Sequence, residues 1–324
     1  MVPGDLRRHR RQLLRQQVLD VPIRQLTPAR VFVGALLALT LAGILLRLQG
    51  IHAPIFDHPG WRQGDTAAIA RNFARLQYNI LYPQTDYDGP PPNYVELELQ
   101  IVPFLAATLY KVFGVHETFG RLISLAFGAA TIPLVGYFGR WLFRSDLAGG
   151  AAAALYAVLP GAWYYSRTFM PDTAMTFFAT AALFAAARWI VDGEARSWRR
   201  LAVPGMLLAT AFLAKPVAVV AAVPIAAVAV ARLGLRGAIM NPRLWTLMAA
   251  GFVPLALYDR AVSSRAEWHW ASGITRLHVL PSLAQALTSA GAFAAKAAAF
   301  AHALWMLPAT MLGAFGAVLA VAGC

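Results

Sequence analysis

The sequence predicts an all-α protein, built as a bundle of helices that cross a membrane several times. Hydrophobic residues make up 59% of the 324-residue chain, and charged residues only 13%. This is more apolar surface than the core of a soluble domain buries. Several apolar runs approach the roughly 20 residues that a helix needs to cross about 30 Å of hydrocarbon. Since a helix satisfies its own backbone hydrogen bonds in lipid, we expect a polytopic transmembrane helix bundle.

The net charge of +13 raises the question of a nucleic-acid partner, and the positions of the charges argue against one. A cluster of arginines precedes the first apolar run: Arg7, Arg8, Arg10, Arg11, Arg15, Arg24 and Arg30. Such a cluster is typical of the cytoplasmic side of a membrane span. We therefore predict that residues 1–30 form a cytoplasmic basic segment and that the chain binds no nucleic acid.

The apolar runs predict the transmembrane module, which we place at residues 31–322. The predicted spans are 31–49, 119–140, 146–165, 172–190, 201–214, 216–231, 244–260, 286–306 and 308–322. Arginine-rich connections alternate correctly between these spans if 201–231 is a helical hairpin that turns at Lys215 and Pro216. Arg47, near the end of the first span, is expected to extend to the membrane surface. The last span has no polar flank, so we expect either a truncated sequence or a buried end.

Residues 51–118 form a long polar insertion, which the span count places as the first loop on the non-cytosolic side. Apolar residues at 69, 73, 76 and 80 recur at helical spacing and predict a helix that lies in the membrane interface. A second, largely apolar helix is predicted from Glu96 to Phe113 and is also expected to be interfacial. No separate C-terminal domain is predicted.

The loop also concentrates the acidic residues. Seven of the fifteen lie in it: Asp57, Asp65, Asp86, Asp88, Glu96, Glu98 and Glu117. Asp65 follows Gly64 at the start of the first loop helix, so it is a candidate N-cap, a candidate general base, or both. Glu96 and Glu98 are two residues apart and would point in different directions on a helix. One of them is expected to contact an acceptor, a metal ion or an arginine.

Two further charges lie at the ends of predicted spans on the same side as this loop. Asp172 follows Pro171 and precedes a span, which indicates a helix cap, yet it also lies close to Arg167. Lys215 borders two apolar runs, where a cation is costly unless it meets an anion such as a lipid phosphate. Contact with ordinary lipid headgroups is the alternative for Lys215.

Four segments resemble known proteins. They are residues 58–73 (HPGWRQGDTAAIARNF), 94–98 (YVELE), 167–178 and 212–216 (FLAKP). Together they are similar to bacterial membrane glycosyltransferases of the GT-C fold, related to the protein O-mannosyltransferases and the lipid A aminoarabinose transferases. The resemblance covers residues 30–235. It implies a multi-pass protein of the bacterial inner membrane, with its N-terminus in the cytoplasm and its first loop in the periplasm.

The resemblance also implies a catalytic base in the first loop. Members carry an Asp-Glu pair after a tryptophan there, and matching the frame of residues 69–71 places Arg62 and Gln63 at that pair. This sequence departs from the pattern. Asp65, which lies inside the matching segment, is the first candidate for the base, and Asp57 is the alternative.

The predicted function is transfer of a sugar from a polyprenyl-phosphate-linked donor to an acceptor hydroxyl, with inversion. Catalytic candidates are Asp65, Asp57 and Asp172, and substrate-binding candidates are Arg62, Glu96, Glu98, Arg167 and Lys215. The acceptor, whether protein, lipid or glycan, stays open. Membrane lipids are the other expected contacts. The resemblance implies that many relatives need no metal, although a divalent cation such as magnesium or manganese would suit the acids. The alternative function is a membrane transporter or lipid flippase.

Overall fold

The computed structural model describes residues 28–57, 59–87, 89–192, 198–274, 276–277 and 280–307. The fold is helical, which confirms the predicted all-α class. The basic segment before residue 28, Asp88 and the span predicted at 308–322 lie outside the described residues.

Thirteen helices and one short pair of strands occur in the described ranges. In chain order they are α1 (Pro28–Arg47), α2 (Gly60–Arg75), β1 (Val95–Glu96), α3 (Ile101–Phe113), α4 (Glu117–Phe143), α5 (Asp146–Val158), α6 (Pro160–Tyr165), α7 (Asp172–Val191), α8 (Ala202–Ala214), α9 (Ala222–Ile239), α10 (Pro242–Ser263), β2 (Trp268–His269), α11 (Trp270–Ile274), α12 (Leu280–Ala286) and α13 (Ala290–Leu307). Short 3₁₀ helices at Arg199–Leu201 and Pro216–Ala221 precede α8 and α9.

Among the residues that the structure describes, four segments are long and apolar enough to cross a membrane: Arg30–Arg47, Glu117–Phe143, Asp172–Val191 and Pro216–Ile239. They agree with the spans predicted near residues 31, 119, 172 and 216. These apolar helices, together with the helical fold, make the chain an integral membrane protein.

The span predicted at 146–165 is not one continuous helix, because the helix breaks between α5 and α6. Leu159 leaves the helical conformation and Pro160 begins the next helix. Arg47 satisfies carbonyls next to the break, donating to the Ala157 oxygen at 2.8 Å and the Tyr156 oxygen at 3.3 Å. Arg47 is fully buried, so the expectation that it reaches the membrane surface is also wrong.

The helices give the molecule two ends with different charges. We call one the arginine end, defined by Arg140, Arg144, Arg188 and Arg232, which line a single cavity. The other is the acidic end, defined by Asp57, Asp65, Glu96, Glu98, Asp172 and Lys215. Helix α7 connects them, since it begins at Asp172 and its last turn contains Arg188. The predicted hairpin is present, because α8 leads to Lys215 at the acidic end and α9 carries Arg232 back to the arginine end.

Small residues bring the central helices close together. The largest group of buried side chains joins α7, α8, α9 and α10 and includes Ala186, Leu208, Phe212 and Leu247. A Cβ atom at Gly251 of α10 would lie 2.7 Å from the Phe212 ring. Glycine at this position therefore allows α8 and α10 to approach, as small residues commonly do in membrane bundles.

The long loop packs onto this bundle rather than lying only on the membrane. Helix α2 buries Gln63, Asp65 and Asn72 as well as Ile69 and Phe73. Helix α3 has 13 residues, a length of about 20 Å that is too short for a span, in agreement with an interfacial helix. The helix predicted to begin at Glu96 begins at Ile101 instead, because Val95 and Glu96 pair in parallel with Trp268 and His269.

Candidate functional site

Asp65 lies inside helix α2, where it is partly screened from solvent. The residue before the helix is Pro59, so Asp65 is in the second turn, and the prediction that it is the N-cap is wrong. One carboxylate oxygen accepts a hydrogen bond of 3.0 Å from the Tyr87 hydroxyl. The other oxygen, Oδ2, is buried and has no hydrogen-bond partner. Asp65 therefore has one carboxylate oxygen that is shielded from solvent and makes no hydrogen bond.

The surroundings of Asp65 also favour proton uptake. Burial raises the pKa of the Asp65 carboxyl above its ordinary value, although the Tyr87 hydrogen bond and the nearby positive charge of Arg62 oppose this rise. A carboxylate with a raised pKa is a stronger base than an exposed one. The environment therefore suits a general base.

Asp57 has the opposite environment. Its Oδ1 atom accepts from the Arg121 guanidinium at 2.9 Å and from the Gln63 amide at 2.8 Å. Burial raises its pKa, but these hydrogen bonds and the charges of Arg121 and Arg167 outweigh that effect, so the net pKa is lowered. Arg121 is fully buried and also donates to the Pro54 oxygen at 2.9 Å. Asp57 thus joins the first loop to α4.

Arg167 belongs to the same cluster as Asp57. It donates to the Gln49 oxygen at 3.0 Å, and its guanidinium lies 5.0 Å from the ring centres of Trp163 and Tyr164. These contacts place Arg167 against the end of α1. The structure does not bring it into contact with Lys215 in the described part of the chain.

Arg62 and Glu98 form a buried ion pair. The Arg62 Nη2 atom donates to Glu98 Oε1, and the two side chains are 11% and 8% exposed. The pair fixes the first turn of α2 to the segment before α3. Of Glu96 and Glu98, one was expected to contact an acceptor, a metal ion or an arginine. Glu98 is the one that contacts an arginine.

Glu96 faces away from this pair. Its carboxylate accepts from the Ser263 and Ser272 hydroxyls, each at 2.6 Å, and from the Ser272 backbone at 3.1 Å. Burial raises the Glu96 pKa, but these hydrogen bonds and His269 lower it overall. Glu96 therefore fixes the segment that follows α10 to the first loop.

Lys215 and Asp172 meet at the start of α7. The Lys215 Nζ atom lies 2.7 Å from Asp172 Oδ1, and the second carboxylate oxygen, Oδ2, is buried without a hydrogen-bond partner. Lys215 has extended backbone between α8 and the following 3₁₀ helix, which lets its side chain reach across to α7. The structure therefore brings these two candidate residues together.

A cavity of about 520 Å³ opens beside this ion pair. Its lining residues are Pro59, Tyr156, Gly161, Ala162, Tyr165, Met170, Asp172, Thr173, Thr176 and Lys215. The cavity thus joins the start of α2, the α5–α6 break and the start of α7, and it has both polar and apolar walls. This volume lies within the range of about 300–1,000 Å³ that small-molecule sites occupy.

A closed circuit of contacts connects the two parts of the acidic end. Gln63 of α2 accepts from the Phe169 amide at 3.0 Å, three residues before Asp172. On the other side, the Leu99 amide donates to the Leu213 oxygen at 2.8 Å, two residues before Lys215. With the Arg62–Glu98 and Lys215–Asp172 pairs, these contacts connect α2, the segment before α3, the end of α8 and the start of α7.

Several contributors were not predicted from the sequence. Tyr87, Gln63, Arg121, Ser263 and Ser272 all hold the candidate acids. The sequence does indicate an acidic partner for Arg121, because a charge in the first turns of an apolar helix is costly unless it is paired. Ser263 and Ser272 had no such signal in the sequence, because more than 160 residues separate them from Glu96.

The acids do not gather into a metal site. Within the described ranges there is no group of three or more His, Cys, Asp or Glu side chains that is arranged to hold a metal ion. Asp172 faces Lys215, Glu98 faces Arg62 and Glu96 faces two serines. The divalent cation stays a prediction that this geometry does not support.

Comparison with known families gives a match that covers just under half of the chain. Residues 100–258 match the family model described as dolichyl-phosphate-mannose-protein mannosyltransferase. The matched part of the chain belongs to a GT-C glycosyltransferase-like family.

This GT-C-like region contains Arg167, Asp172 and Lys215, whereas Asp57, Arg62, Asp65, Glu96 and Glu98 precede it. The resemblance found in the sequence is thereby confirmed. No curated protein matches the chain, and no solved structure matches it.

Proposed function

We propose that the chain is a membrane glycosyltransferase that moves a sugar from a polyprenyl-phosphate donor to an acceptor hydroxyl. The family of residues 100–258 supports the reaction class and the type of donor. The observation that carries the proposal is the contact circuit of the acidic end. It holds a carboxylate with a free buried oxygen, Asp65, on the same framework as a lysine beside a cavity, Lys215.

In the proposed mechanism, Asp65 acts as the general base. Its free Oδ2 atom takes the proton of the acceptor hydroxyl, and the acceptor oxygen attacks the anomeric carbon of the sugar. The bond from that carbon to the phosphate oxygen breaks, and the electron pair leaves with the polyprenyl phosphate. Since attack and departure occur on opposite faces, the reaction inverts the anomeric centre. General base catalysis of this kind contributes about 10²- to 10⁴-fold to the rate.

Lys215 stabilises the departing phosphate. An ammonium group at the membrane surface is a suitable partner for a lipid phosphate. Asp172 holds Lys215 in place before the donor binds, and its ion pair with the lysine is exchanged for a lysine–phosphate contact. Asp172 therefore acts as a positioning residue, and so does the Arg62–Glu98 pair, which holds the turn of α2 that precedes Asp65.

The proposal places the acidic end on the periplasmic side of a bacterial inner membrane. Arginines gather at the other end, in the last turns of α4 and α7, directly after α4 and in α9. Excess arginine is typical of cytoplasmic loops. The N-terminus is then cytoplasmic, and the donor reaches the site from the outer leaflet.

The test is a transfer assay in detergent with polyprenyl-phosphate mannose that carries a radiolabelled sugar. Membranes from the expressing cells supply the acceptors. We expect labelled acceptor with the unmodified chain, and a loss of about 10²-fold or more with Asp65→Asn. Asp86→Asn is the matched control, because Asp86 is an exposed acid of the same loop that pairs with Arg71.

Two outcomes would count against the proposal. An unchanged rate of sugar transfer in Asp65→Asn would show that Asp65 is not the general base. Movement of the labelled donor across vesicles without any labelled acceptor would favour the alternative, a transporter or lipid flippase.

A further inference from the structure

The arginine end contains a second polar cavity, far from the proposed reaction. It has a volume of about 630 Å³ and lies between the last turns of α4, the last turns of α7 and one side of α9. Its lining residues are Tyr137, Arg140, Trp141, Leu142, Arg144, Phe184, Arg188, Val191, Asp192 and Arg232. The first residue of α7 that lines the cavity is Phe184, so about 18 Å of helix separates the cavity from Asp172.

The charges in this cavity do not cancel. Arg140 pairs with Asp146 at 2.6 Å, and Arg188 pairs with Asp192 at 3.1 Å. Arg144 and Arg232 have no carboxylate partner within the described ranges. Arg232 donates one hydrogen bond to the Val191 oxygen at 3.3 Å, which holds its guanidinium at the cavity. Two uncompensated arginines in one cavity favour an anionic ligand.

The remaining walls are aromatic and lie where membrane helices end. The Phe184 ring stacks on Phe138 with ring centres 5.0 Å apart, and Trp141 lies 5.8 Å from the same ring. Both α4 and α7 are long and apolar enough to span the membrane, and the cavity is at their last turns. Tryptophan and tyrosine concentrate at this depth in membrane proteins. The cavity therefore lies at the level of lipid headgroups.

We propose that this cavity binds the phosphate headgroup of an anionic membrane lipid. Arg144 and Arg232 contact the phosphate, and the acyl chains lie against the exposed side chains of Leu142 and Phe143, which are 56% and 66% exposed. A lipid fits better than a soluble phosphate because these exposed apolar side chains, at the last two positions of α4, directly precede Arg144. Basic pockets between membrane helices commonly bind such headgroups.

The site is separate from the donor site and does not depend on the proposed reaction. None of its lining residues is a candidate for catalysis or for donor binding. A lipid held here would join α4, α7 and α9 at the membrane surface opposite to the acidic end.

The experiment measures lipid binding to the purified full chain in detergent by native mass spectrometry. The probes are phosphatidylglycerol, phosphatidylcholine with the same acyl chains, and sn-glycerol 3-phosphate as a soluble competitor. Each arginine near an anionic headgroup contributes about fivefold to binding. We therefore expect Arg144→Gln/Arg232→Gln to weaken phosphatidylglycerol binding roughly thirtyfold.

The matched control is Arg75→Gln/Arg260→Gln, which removes two exposed arginines outside this cavity. It should leave phosphatidylglycerol binding unchanged. If the double variant at the cavity does not fold, the single variant Arg144→Gln replaces it, with an expected weakening of about fivefold. Arg144 suits this purpose because it is exposed in the turn after α4.

Three results would overturn the proposal. They are unchanged phosphatidylglycerol binding in the cavity variants, equal binding of phosphatidylcholine, and displacement of the lipid by an equal concentration of sn-glycerol 3-phosphate. Selective binding of phosphatidylglycerol that is lost in the cavity variants and kept in the control would support it.

Discussion

The two ends of the bundle carry charges in different ways. At the acidic end, ion pairs join distant parts of the chain and are shielded from solvent, as in Arg62–Glu98, with side chains 11% and 8% exposed. At the arginine end, the pairs are local and open, as in Arg188–Asp192, four residues apart on α7, with side chains 55% and 33% exposed.

This difference indicates what each end is able to do. Solvent screens exposed pairs, which contribute only about 0–1 kcal/mol to stability. Burial strengthens electrostatic interactions and shifts pKa values, so that neighbouring acids acquire different properties. At the acidic end, the Asp57 pKa is lowered and the Asp65 pKa is raised. That end is suited to proton transfer, and the arginine end to attracting anions.

The largest expected effect tests this contrast directly. Replacing Lys215 with methionine removes the proposed phosphate contact and leaves Asp172 without its ion-pair partner. Loss of a group that stabilises developing charge costs about 10²- to 10³-fold in turnover. We expect this loss for Lys215→Met, measured as the initial rate of sugar transfer in detergent.

The control for Lys215 is the same substitution at an exposed arginine of α9, Arg236→Met. It removes one positive charge from the last turn of α9, outside both cavities, and should leave turnover unchanged. Equal losses of turnover in the two variants would mean that total charge, rather than the site around Lys215, determines the rate.

A smaller effect separates the two acids of the first loop by stability. Asp57→Asn removes the charged partner of the buried Arg121, so we expect the free energy of unfolding to fall by about 1–3 kcal/mol. Asp65→Asn removes a carboxylate whose burial is unfavourable, so it should not destabilise the protein. Thermal unfolding of both variants in the same detergent provides the comparison.

The pH dependence of stability gives an independent check on the same pair. The Asp57 pKa is lower in the folded state, so its stabilising effect is present above the ordinary carboxyl pKa and is lost as pH falls through the folded value. The Asp65 pKa is raised, so its unfavourable burial is relieved as pH falls. Asp57→Asn should therefore flatten the acid side of the stability curve, and a flattening by Asp65→Asn instead would reverse our assignment.

The smallest effect concerns Tyr87, which donates to Asp65 and lowers its pKa. As the base must be deprotonated, we expect transfer to fall as pH decreases through the raised Asp65 pKa. Tyr87→Phe should move this fall in kcat/KM to higher pH, with only a modest loss at the pH optimum. An unchanged pH profile in Tyr87→Phe would show that another group sets it.

The sequence supported the outline of the fold better than its details. Long apolar runs have to become helices in lipid, so the spans near residues 31, 119, 172 and 216 were predictable. The α5–α6 break was missed although Pro160 marks it, because the apolar run continues through the proline. The helix predicted to begin at Glu96 was wrong because its first residues pair with a strand more than 170 residues away.

The sequence by itself determined that the chain is helical and membrane-embedded, and that its acids concentrate in one loop. Composition and hydrophobic periodicity are properties of short stretches, and the bilayer acts on each stretch separately. Only the tertiary structure decided that Asp57 holds Arg121, that Glu96 holds two serines and that Asp65 keeps a free oxygen. The reason is that a carboxylate's pKa depends on burial and on partners within a few ångströms, and distant parts of the chain supply both.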